Sequence, residues 1–482
     1  MLFNSIEFAI FLPVVFILYW FVTGNNLRQQ NLLIVVASYV FLGWWDWRFL
    51  SIIIFSTVFN FSSGLAISKL TDMMNRKILL WINIISNLSL LGFFKYHNFF
   101  IENFVTAFTF LGYDIKEVSL NIILPVGISF YTFQTMSYTI DVYRLKLEPT
   151  RDLIAFSAFI SFFPQLVAGP IERATNLLPQ CLNKRVFDYN HAVDGMKQIL
   201  WGLFKKIVIA DNCAEHVNLI FGAHENYTGS TLFLAAILFS LQIYCDFSGY
   251  SDIAIGTARL FGFDLMKNFA FPYFSRNVAE FWRRWHISLS TWFRDYVYIP
   301  LGGSQGTTII KIRNTFIIFL LSGFWHGANW TFVCWGAINA FYFLPLLLTG
   351  KNRNDLDVIA QGKMLPSLRE GISMLFTYTI TVFAWIFFRS ESVTDAINFI
   401  KHIFSPSLLT LPYFNGIGYL MPLAVILIVF IIIEWIGRER SFALNNFAIT
   451  WPRFLRWAFY YLLIFVIFWY SGQPHEFIYF QF

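Results

Sequence analysis

The stretch Ser322-Gly-Phe-Trp-His-Gly-Ala-Asn-Trp330 places one imidazole, that of His326, inside an otherwise apolar part of the chain. Apolar residues predominate from 309 to 321 before it and from 332 to 348 after it. A basic side chain in such a segment is costly unless it has a partner or a function. The stretch therefore predicts two apolar helical spans and makes His326 a candidate functional residue.

The composition predicts an integral membrane protein. Of the 482 residues, 57% are hydrophobic and 13% are charged, and the mean hydropathy is +0.59. A soluble domain carries about a quarter charged residues, and this chain has too few polar groups to cover a water-exposed surface. The aromatic share of 20% also suits a membrane protein, because Trp and Tyr favour membrane interfaces.

The charge and the cysteines argue against nucleic-acid and metal chemistry. The net charge of +6 is spread without a dense basic run, which is typical of the lysine and arginine bias of cytoplasmic loops. The four cysteines form no C-x-x-C pair and no His–Cys spacing typical of zinc. We therefore expect no nucleic-acid partner and no metal site, and we expect small buried hydrophobes at Cys181, Cys213, Cys245 and Cys334.

Apolar runs along the chain predict an all-α protein with roughly 11–13 membrane-spanning helices. The first run has no positive residue before it and Arg28 after it, the reverse of a signal peptide, so we expect a retained helix with its amino terminus outside. Pro125 and Gly127 interrupt the run 120–140, which predicts a kinked or re-entrant helix. The first run lies at 6–23, and the remaining runs lie at 31–45, 49–67, 78–94, 153–168, 198–221, 231–245, 310–321, 327–348, 371–388, 415–436 and 455–471.

The organisation predicted from these runs is one transmembrane domain over 1–482, because no internal repeat or low-complexity segment divides the chain. The polar stretch 172–197 is predicted to be a surface loop or an interfacial helix. Charged residues become denser from 264, which predicts an interfacial amphipathic segment over 264–308. The apolar region 309–348 follows it and contains the candidate histidine.

Two acids lie among apolar residues in Asp246-Phe-Ser-Gly-Tyr-Ser-Asp252. Because they are six positions apart, they point to different faces of a helix and do not form a paired acid/base dyad. Structural hydrogen bonding is the favoured interpretation, and direct chemistry is the alternative.

A second histidine, His286, lies in the stretch from Glu280 to Tyr296. Read at 3.6 residues per turn, this stretch predicts one amphipathic helix with a basic rim and an apolar face. That face carries Trp282, Trp285, His286, Leu289, Trp292, Phe293 and Tyr296. Two interpretations of His286 stay open: a side chain lying at the membrane interface, or a functional group.

Around His326 the small residues Gly323, Gly327 and Ala328 permit close helix contact or close approach of a substrate. The spacing predicts Trp330 one turn beyond His326, on the same face. Apolar surroundings disfavour a charged imidazole, and a neutral imidazole can accept a proton from a hydroxyl group. His326 is thus a candidate general base for acyl transfer, and a packing histidine is the alternative.

Six motifs carry a resemblance to a known family: PVGISFY at 125–131, PQLVAGPIE at 164–172, DFSGYSD at 246–252, FWRRWHISLS at 281–290, FRDYVYIPLGG at 293–303 and FWHGANW at 324–330. Through them nearly the whole chain resembles the membrane-bound O-acyltransferases. The resemblance is to the bacterial branch with proteins of alginate O-acetylation and teichoic-acid D-alanylation. Gly-Ala-Asn-Trp after His326 and the ending Phe477-Ile-Tyr-Phe-Gln-Phe482 are closer to the alginate type.

The resemblance implies a ring of membrane helices around a central tunnel, with interfacial helices on the cytoplasmic side. It implies that His326 is the essential active-site histidine and His286 the second functional one. Candidates for contacting the donor or lining the tunnel are Trp282, Trp285, Trp325, Asn329, Trp330, Asp252, Arg283, Arg284 and Arg294. The three arginines suit donor phosphates and lipid headgroups equally well. The remaining histidines match no family motif and are assigned to surfaces and interfaces: His97, His191, His216, His224, His402 and His475.

The function implied by the resemblance is O-acyl transfer, with acetyl as the favoured group, in the cytoplasmic (inner) membrane of a bacterium. The donor would be acetyl-CoA or an acyl carrier, with no resident cofactor. The immediate acceptor would be a serine of a periplasmic SGNH-type partner of the AlgJ, AlgX or PatB kind, which then esterifies an exported polysaccharide such as alginate. The expected partners are therefore membrane lipids, the periplasmic protein and the exported polysaccharide.

Three alternatives stay open at this point. One is a transporter or channel that moves an acyl donor or a lipid without chemistry, since many spans and buried ionisable residues suit both ideas. Another is D-alanyl transfer in a teichoic-acid pathway. The third is a scaffold for a polysaccharide-export complex, in which a histidine substitution would have no effect.

Overall fold

A computed structural model describes residues 1–113, 120, 122–167, 169–472 and 476–480. All regular secondary structure within these residues is helical, which confirms the all-α prediction. The chain divides into two compact units by its internal contacts. The first unit is Met1–Ala192 with Thr257–Met266, and the second is Val193–Gly256 with Lys267–Phe482.

The first unit is built from apolar helices of very different lengths. The longest has 38 residues and the shortest has four. Its α-helices are Ile6–Ile17, Leu27–Asp46, Phe49–Lys69, Met73–Phe110, Ile128–Tyr143, Leu153–Ser161, Phe163–Leu166 and Ala174–Leu182, and a π-helical turn, Leu18–Val22, extends the first of them.

The second unit contains both candidate histidines. The helices Tyr189–Leu203 and Gly229–Leu260 each contribute residues to both units. The other α-helices of the second unit are Asp211–Phe221, Val278–Arg284, Ile287–Phe293, Thr308–His326, Trp330–Leu348, Leu368–Arg389, Val393–Ile403, Leu420–Gly437 and Arg453–Trp469. Its π-helical segments are Phe204–Ala210 and Arg294–Tyr298, and its 3-10 turns are His224–Asn226, Pro272–Phe274, Lys351–Arg353, Pro406–Leu409, Ile417–Tyr419 and Ile478–Phe480.

Seven helices in the described ranges are long and apolar enough to cross a membrane, which makes this a multi-pass membrane protein. They are Phe49–Lys69, Met73–Phe110, Gly229–Leu260, Thr308–His326, Trp330–Leu348, Leu368–Arg389 and Ile417–Gly437. This number is smaller than the predicted 11–13, because several predicted runs fold as shorter pieces. The run 153–168 divides at Phe162, and the run 198–221 is interrupted by a π-helix.

The predicted interruption in 120–140 lies at Gly127. This glycine has a φ of 76°, and the helix Ile128–Tyr143 begins directly after it. A Cβ at this position would lie 2.2 Å from the carbonyl oxygen of Leu166. Every residue from Ile128 to Val142 is buried, so this helix is covered by protein on all sides. Residue 121 of the run lies outside the described part of the chain.

Buried amides hold three helices of the first unit together. The Oδ1 atom of Asn60 accepts hydrogen bonds from Asn83 Nδ2 at 3.0 Å and from Asn87 Nδ2 at 3.1 Å. Thr139 Oγ1 also lies 3.4 Å from the same oxygen. These side chains would be costly in a membrane if they were unpaired, so mutual bonding lets them fix the helix positions.

The helices Thr308–His326 and Trp330–Leu348 form a tightly packed hairpin in the second unit. A Cβ on Gly323 would lie 2.2 Å from the carbonyl oxygen of Phe332, and one on Gly336 would lie 2.3 Å from that of Phe319. The small residues near His326 were predicted to permit either close helix contact or close approach of a substrate, and Gly323 provides helix contact. Because glycine has no side chain, the two helix backbones can touch at Gly323 and Gly336.

The prediction of one amphipathic helix over 280–296 is wrong. The chain forms two short helices, Val278–Arg284 and Ile287–Phe293, with a break at Trp285 and His286. At the break the backbone bonds elsewhere: Ala270 N donates to Arg284 O at 2.9 Å, and Ile287 N donates to Asn268 O at 2.8 Å. Periodicity could not reveal this competition, because it comes from residues outside the stretch.

The cysteine prediction is confirmed in its main point. All four are free thiols; Cys181, Cys213 and Cys245 are buried and Cys334 is partly exposed.

Candidate active site

His286 occupies the break between the two short helices and faces the interior. Its φ of 44° and ψ of 55° place it in the left-handed region, which costs a residue other than glycine about 1–3 kcal/mol. The side chain is buried, and the ring of Phe247 packs edge-on against it with centroids 4.7 Å apart. The break therefore turns His286 away from an interface and into the second unit.

His326 is the last residue of the helix Thr308–His326 and is also buried. Its ring centroid lies 6.3 Å from that of His286. Aromatic rings surround it, with centroids at 5.0 Å for Trp325, 5.1 Å for Trp335 and 5.3 Å for Phe388. The two histidines, 40 positions apart in sequence, thus lie next to each other in an aromatic enclosure.

A cavity of about 310 Å³ has both histidines in its wall. Its wall also includes Trp282, Phe319 and Ser322, together with the exposed residues Arg294, Ser304 and Arg353. The cavity therefore links the imidazoles to a cationic rim at the protein surface.

The imidazole of His286 is neutral at pH 7. Burial lowers the pKa of His286 to about 3, because an apolar environment disfavours the imidazolium form. Neither ring nitrogen of His286 has a hydrogen-bond partner among the described residues. A neutral ring at the wall of a cavity can bind a polar group of a substrate.

Comparison with known proteins connects this arrangement to a family. The profile of MBOAT, the membrane-bound O-acyltransferase family, matches residues 146–356, which include both histidines. A probable alginate O-acetylase AlgI of Azotobacter vinelandii is 38% identical over 447 residues, covering 92% of this chain and 86% of the relative. The chain belongs to the membrane-bound O-acyltransferase family.

Further relatives support the same membership. A probable alginate O-acetylase AlgI of Pseudomonas aeruginosa is 40% identical over 84% of this chain and 75% of its own length. A peptidoglycan O-acetyltransferase of Helicobacter pylori is 34% identical over 83% of this chain and 79% of its own length. The predicted family and enzyme class are confirmed, and the protein is a membrane-bound O-acyltransferase.

Three of the predicted donor or tunnel residues of this O-acyltransferase line the cavity or pack on a histidine in its wall, and a fourth is a core residue. Trp282 and Arg294 line it directly. Trp325 is buried against the His286 ring, with centroids 5.9 Å apart. Trp285 is fully buried and packs on Trp385 at 4.9 Å. Their roles in the reaction stay a prediction.

Two predicted residues that follow His326 point elsewhere. Because the helix ends at His326, Trp330 begins the next helix and is 54% exposed, so its predicted place on the face of His326 is wrong. Asn329 caps that next helix, accepting a bond from Thr331 N at 3.0 Å, and donates to Glu391 O at 2.9 Å. Its amide is engaged in holding the turn.

Two of the arginines that were predicted to contact the donor instead form hydrogen bonds within the protein. Arg283 donates to the carbonyl oxygens of Asn352 and Asn354, both at 2.9 Å. Arg284 donates to Glu280 Oε1 at 2.8 Å and to Ala270 O at 3.2 Å. The cavity instead presents Arg353, which sequence reasoning missed because nothing in its local pattern links it to the histidines.

Asp246 and Asp252 both form ion pairs with buried lysines, as structural bonding of these acids predicts. Asp252 Oδ2 lies 2.5 Å from Lys205 Nζ, and Asp246 Oδ1 lies 2.8 Å from Lys206 Nζ. Sequence reasoning missed both lysines because it treated 198–221 as an apolar run. Two adjacent lysines within such a run were the available signal, since buried cations require anionic partners.

The final described segment, 476–480, also reaches the site. Phe477 and Ile478 are buried, and Ile478 N donates to Asp246 Oδ2 at 2.7 Å. The ring centroid of Tyr479 lies 5.4 Å from that of His326. Sequence reasoning used this ending only as a sign of family resemblance, so its contact with His326 is new information.

The remaining histidines within the described residues do not line the cavity. His97, His191, His224 and His402 are partly exposed, in agreement with their predicted positions, whereas His216 is buried against Phe414. His475 lies outside the described residues. Among the described residues, no group of three or more His, Cys, Asp or Glu side chains is arranged to hold a metal ion.

Proposed function

We propose that this O-acyltransferase transfers an acetyl group from a cytoplasmic thioester donor to an acceptor on the outer side of the membrane. The observation that carries the proposal is the presence of His286 and His326 in the wall of one cavity, with ring centroids 6.3 Å apart. Aromatic rings pack around both imidazoles, and an unprotonated imidazole is the form that a general base requires.

In the proposed reaction, His326 accepts the proton of the acceptor hydroxyl as its oxygen attacks the acetyl carbonyl carbon. The new C–O ester bond forms while the C–S bond of the thioester breaks. The departing sulfur then receives the proton from His326, so no oxidant or reductant is needed. His286 positions the donor, because its buried ring nitrogens have no other hydrogen-bond partner among the described residues.

The proposed acceptor is inferred from the activities after which the relatives are named. Alginate and peptidoglycan both carry hydroxyl groups that an O-acetylase can esterify, and the alginate-type relatives extend over more than four fifths of this chain. We infer that an exported polysaccharide is the final acceptor, reached through a periplasmic serine of a partner protein. The location that follows is the inner membrane of a bacterium.

The donor proposed here is acetyl-CoA or a phosphopantetheine-bearing acyl carrier. Both are anionic, and the cavity has a cationic rim formed by Arg294 and Arg353. Arg294 is 59% exposed and pairs with Asp295 at 2.7 Å, while Arg353 bonds to Ser304 Oγ at 3.4 Å. These exposed guanidinium groups can reorient toward a phosphate.

Replacing Arg353 with alanine is expected to raise KM for acetyl-CoA by about 10-fold with kcat nearly unchanged, because about 1.4 kcal/mol of donor binding is lost. Steady-state kinetics with purified protein in detergent measure this effect. Arg369→Ala is the matched control, since Arg369 is an exposed arginine outside this cavity. A fall in kcat with KM unchanged, or an equal effect in the control, would argue against a donor-binding rim.

The proposed function is tested by following labelled acetyl-CoA in proteoliposomes with an accepting periplasmic partner inside. Chemistry in the membrane should release free CoA thiol on the donor side in step with labelling of the partner. A transporter would instead deliver intact acetyl-CoA to the lumen without releasing thiol. Labelling that occurs only with a D-alanyl carrier would favour D-alanyl transfer.

A further inference from the structure

We propose that Asp246 is a positioning residue, which holds the terminal segment 476–480 against His326 through the backbone N–H of Ile478. The expected effect on kcat for acyl transfer rests on the proposed function. The structural part of the proposal is a clamp, the hydrogen bond that joins helix Gly229–Leu260 to the terminal segment, and it rests on the geometry alone.

The carboxylate of Asp246 has two different partners, one on each oxygen. Oδ1 lies 2.8 Å from Lys206 Nζ, and Oδ2 accepts from Ile478 N at 2.7 Å. The carboxyl group and the Ile478 side chain are both buried. A hydrogen bond to a buried ionised acceptor is roughly twice as strong as a neutral one, so this bond is well suited to fix a short segment.

The segment held in this way lies directly on the active-site rings. Tyr479 packs on His326 with centroids 5.4 Å apart. It also packs on Phe247 at 4.6 Å, and the same Phe247 packs on His286 at 4.7 Å. Since Phe247 is the neighbour of Asp246 in sequence, one turn of helix positions the terminal segment and contacts the second histidine.

Lys206 reaches Asp246 because two helix backbones touch. A Cβ on Gly249 would lie 2.8 Å from the carbonyl oxygen of Gly202. This close approach brings the π-helical segment Phe204–Ala210, which carries Lys206, against the helix of Asp246. Lys206 also pairs with Asp211 at 2.8 Å, so it remains paired when Asp246 is replaced.

A purely structural role for Asp246 makes a different prediction from a positioning role. Removing an acid with a purely structural role would lower the free energy of unfolding and speed amide hydrogen exchange throughout the second unit. Removing a clamp would release only residues 476–480 and would misplace groups around His326, which lowers kcat more than it raises KM.

The first test is amide hydrogen exchange of the terminal peptide in full-length protein. In Asp246→Ala, exchange of the Ile478 amide is expected to be at least about 10-fold faster, because the hydrogen bond that protects this amide is lost. Glu434→Gln is the matched control: Glu434 is an equally buried acid, which accepts from Trp201 at 2.9 Å and from Tyr244 at 2.6 Å. Unchanged exchange in Asp246→Ala, or equally fast exchange in the control, would overturn the clamp.

The second test removes the same hydrogen bond from its other end. Ile478→Pro deletes the N–H but leaves the Asp246–Lys206 pair in place, and Ile478 is the first residue of its short helix, where proline is tolerated. Ile478→Val keeps the N–H and is the conservative variant. Ile478→Pro and Asp246→Ala are each expected to reduce kcat by about 10-fold, with most of the rate retained in Ile478→Val.

The double variant Asp246→Ala/Ile478→Pro decides whether the two residues act together. If they do, its kcat falls by about 10-fold, like either single variant, and not by the about 100-fold of independent effects. Multiplicative effects would overturn the proposal. If the wild-type protein transfers no acyl group at all, the proposed function and the positioning role both fail, while hydrogen exchange still decides the clamp.

Discussion

Replacing His326 with alanine is expected to reduce kcat for acyl transfer by about 10²–10⁴-fold, which is the contribution of a positioned general base. The imidazole is buried at the end of its helix and lies in the wall of the cavity beside His286. The variant lacks the group that takes the proton from the acceptor hydroxyl. Because alanine removes no backbone contact, the fold is expected to persist.

The measurement is transfer of labelled acetyl from donor to acceptor at saturating concentrations of both. KM for the donor should change little, since the base acts in the chemical step. His402→Ala is the matched control, because His402 lies on the helix Val393–Ile403 and does not line the cavity. Equal melting temperatures for the two variants establish that both are folded. Wild-type transfer by folded His326→Ala would refute the proposed mechanism.

Replacing Lys206 with methionine is expected to lower the free energy of unfolding by about 3–5 kcal/mol, the usual effect of breaking a buried ion pair. Lys206 Nζ lies 2.8 Å from both Asp211 Oδ1 and Asp246 Oδ1, and its side chain is 1% exposed. Methionine fills a similar volume but leaves two carboxylates together without a cation. Their mutual repulsion and lost hydration destabilise the folded state.

Unfolding in detergent micelles, followed by circular dichroism, measures this loss. Lys197→Met is the control, because Lys197 is 24% exposed and pairs with Asp194 on the same helix, where about 0–1 kcal/mol is expected. Adding Asp211→Asn and Asp246→Asn to Lys206→Met should recover part of the stability, since no unpaired charge then remains. Equal losses in Lys206→Met and Lys197→Met would show that the buried pairing adds nothing.

Much of the fold could be predicted from apolar runs. Runs such as 49–67 and 371–388 correspond closely to the helices Phe49–Lys69 and Leu368–Arg389, because membrane helices need long apolar stretches and their ends carry charge. The prediction exceeded the number of spanning helices where a run was apolar but folded in pieces. Hydropathy does not register a break such as the π-helix Phe204–Ala210, since it averages over the whole run.

The candidate site could be predicted in part. His326 stood out because a single imidazole in an apolar run is costly. His286 was found on an aromatic face, but its orientation comes from hydrogen bonds made by Asn268 and Ala270 to the broken helix. Lys205 and Lys206 were missed because 198–221 was treated as an apolar run, and their pairing with Asp252 and Asp246, 47 and 40 positions away, leaves no local pattern.

The sequence by itself determined that the chain is a helical membrane protein, because composition and apolar run length decide how a chain partitions into a bilayer. Its motifs also determined the family and made His286 and His326 candidate site residues. Only the tertiary structure decided that the histidines share a cavity and that Ile478 bonds to Asp246, 232 positions away. Such contacts depend on the packing of separate helices, and packing is a property of the three-dimensional arrangement that no local period encodes.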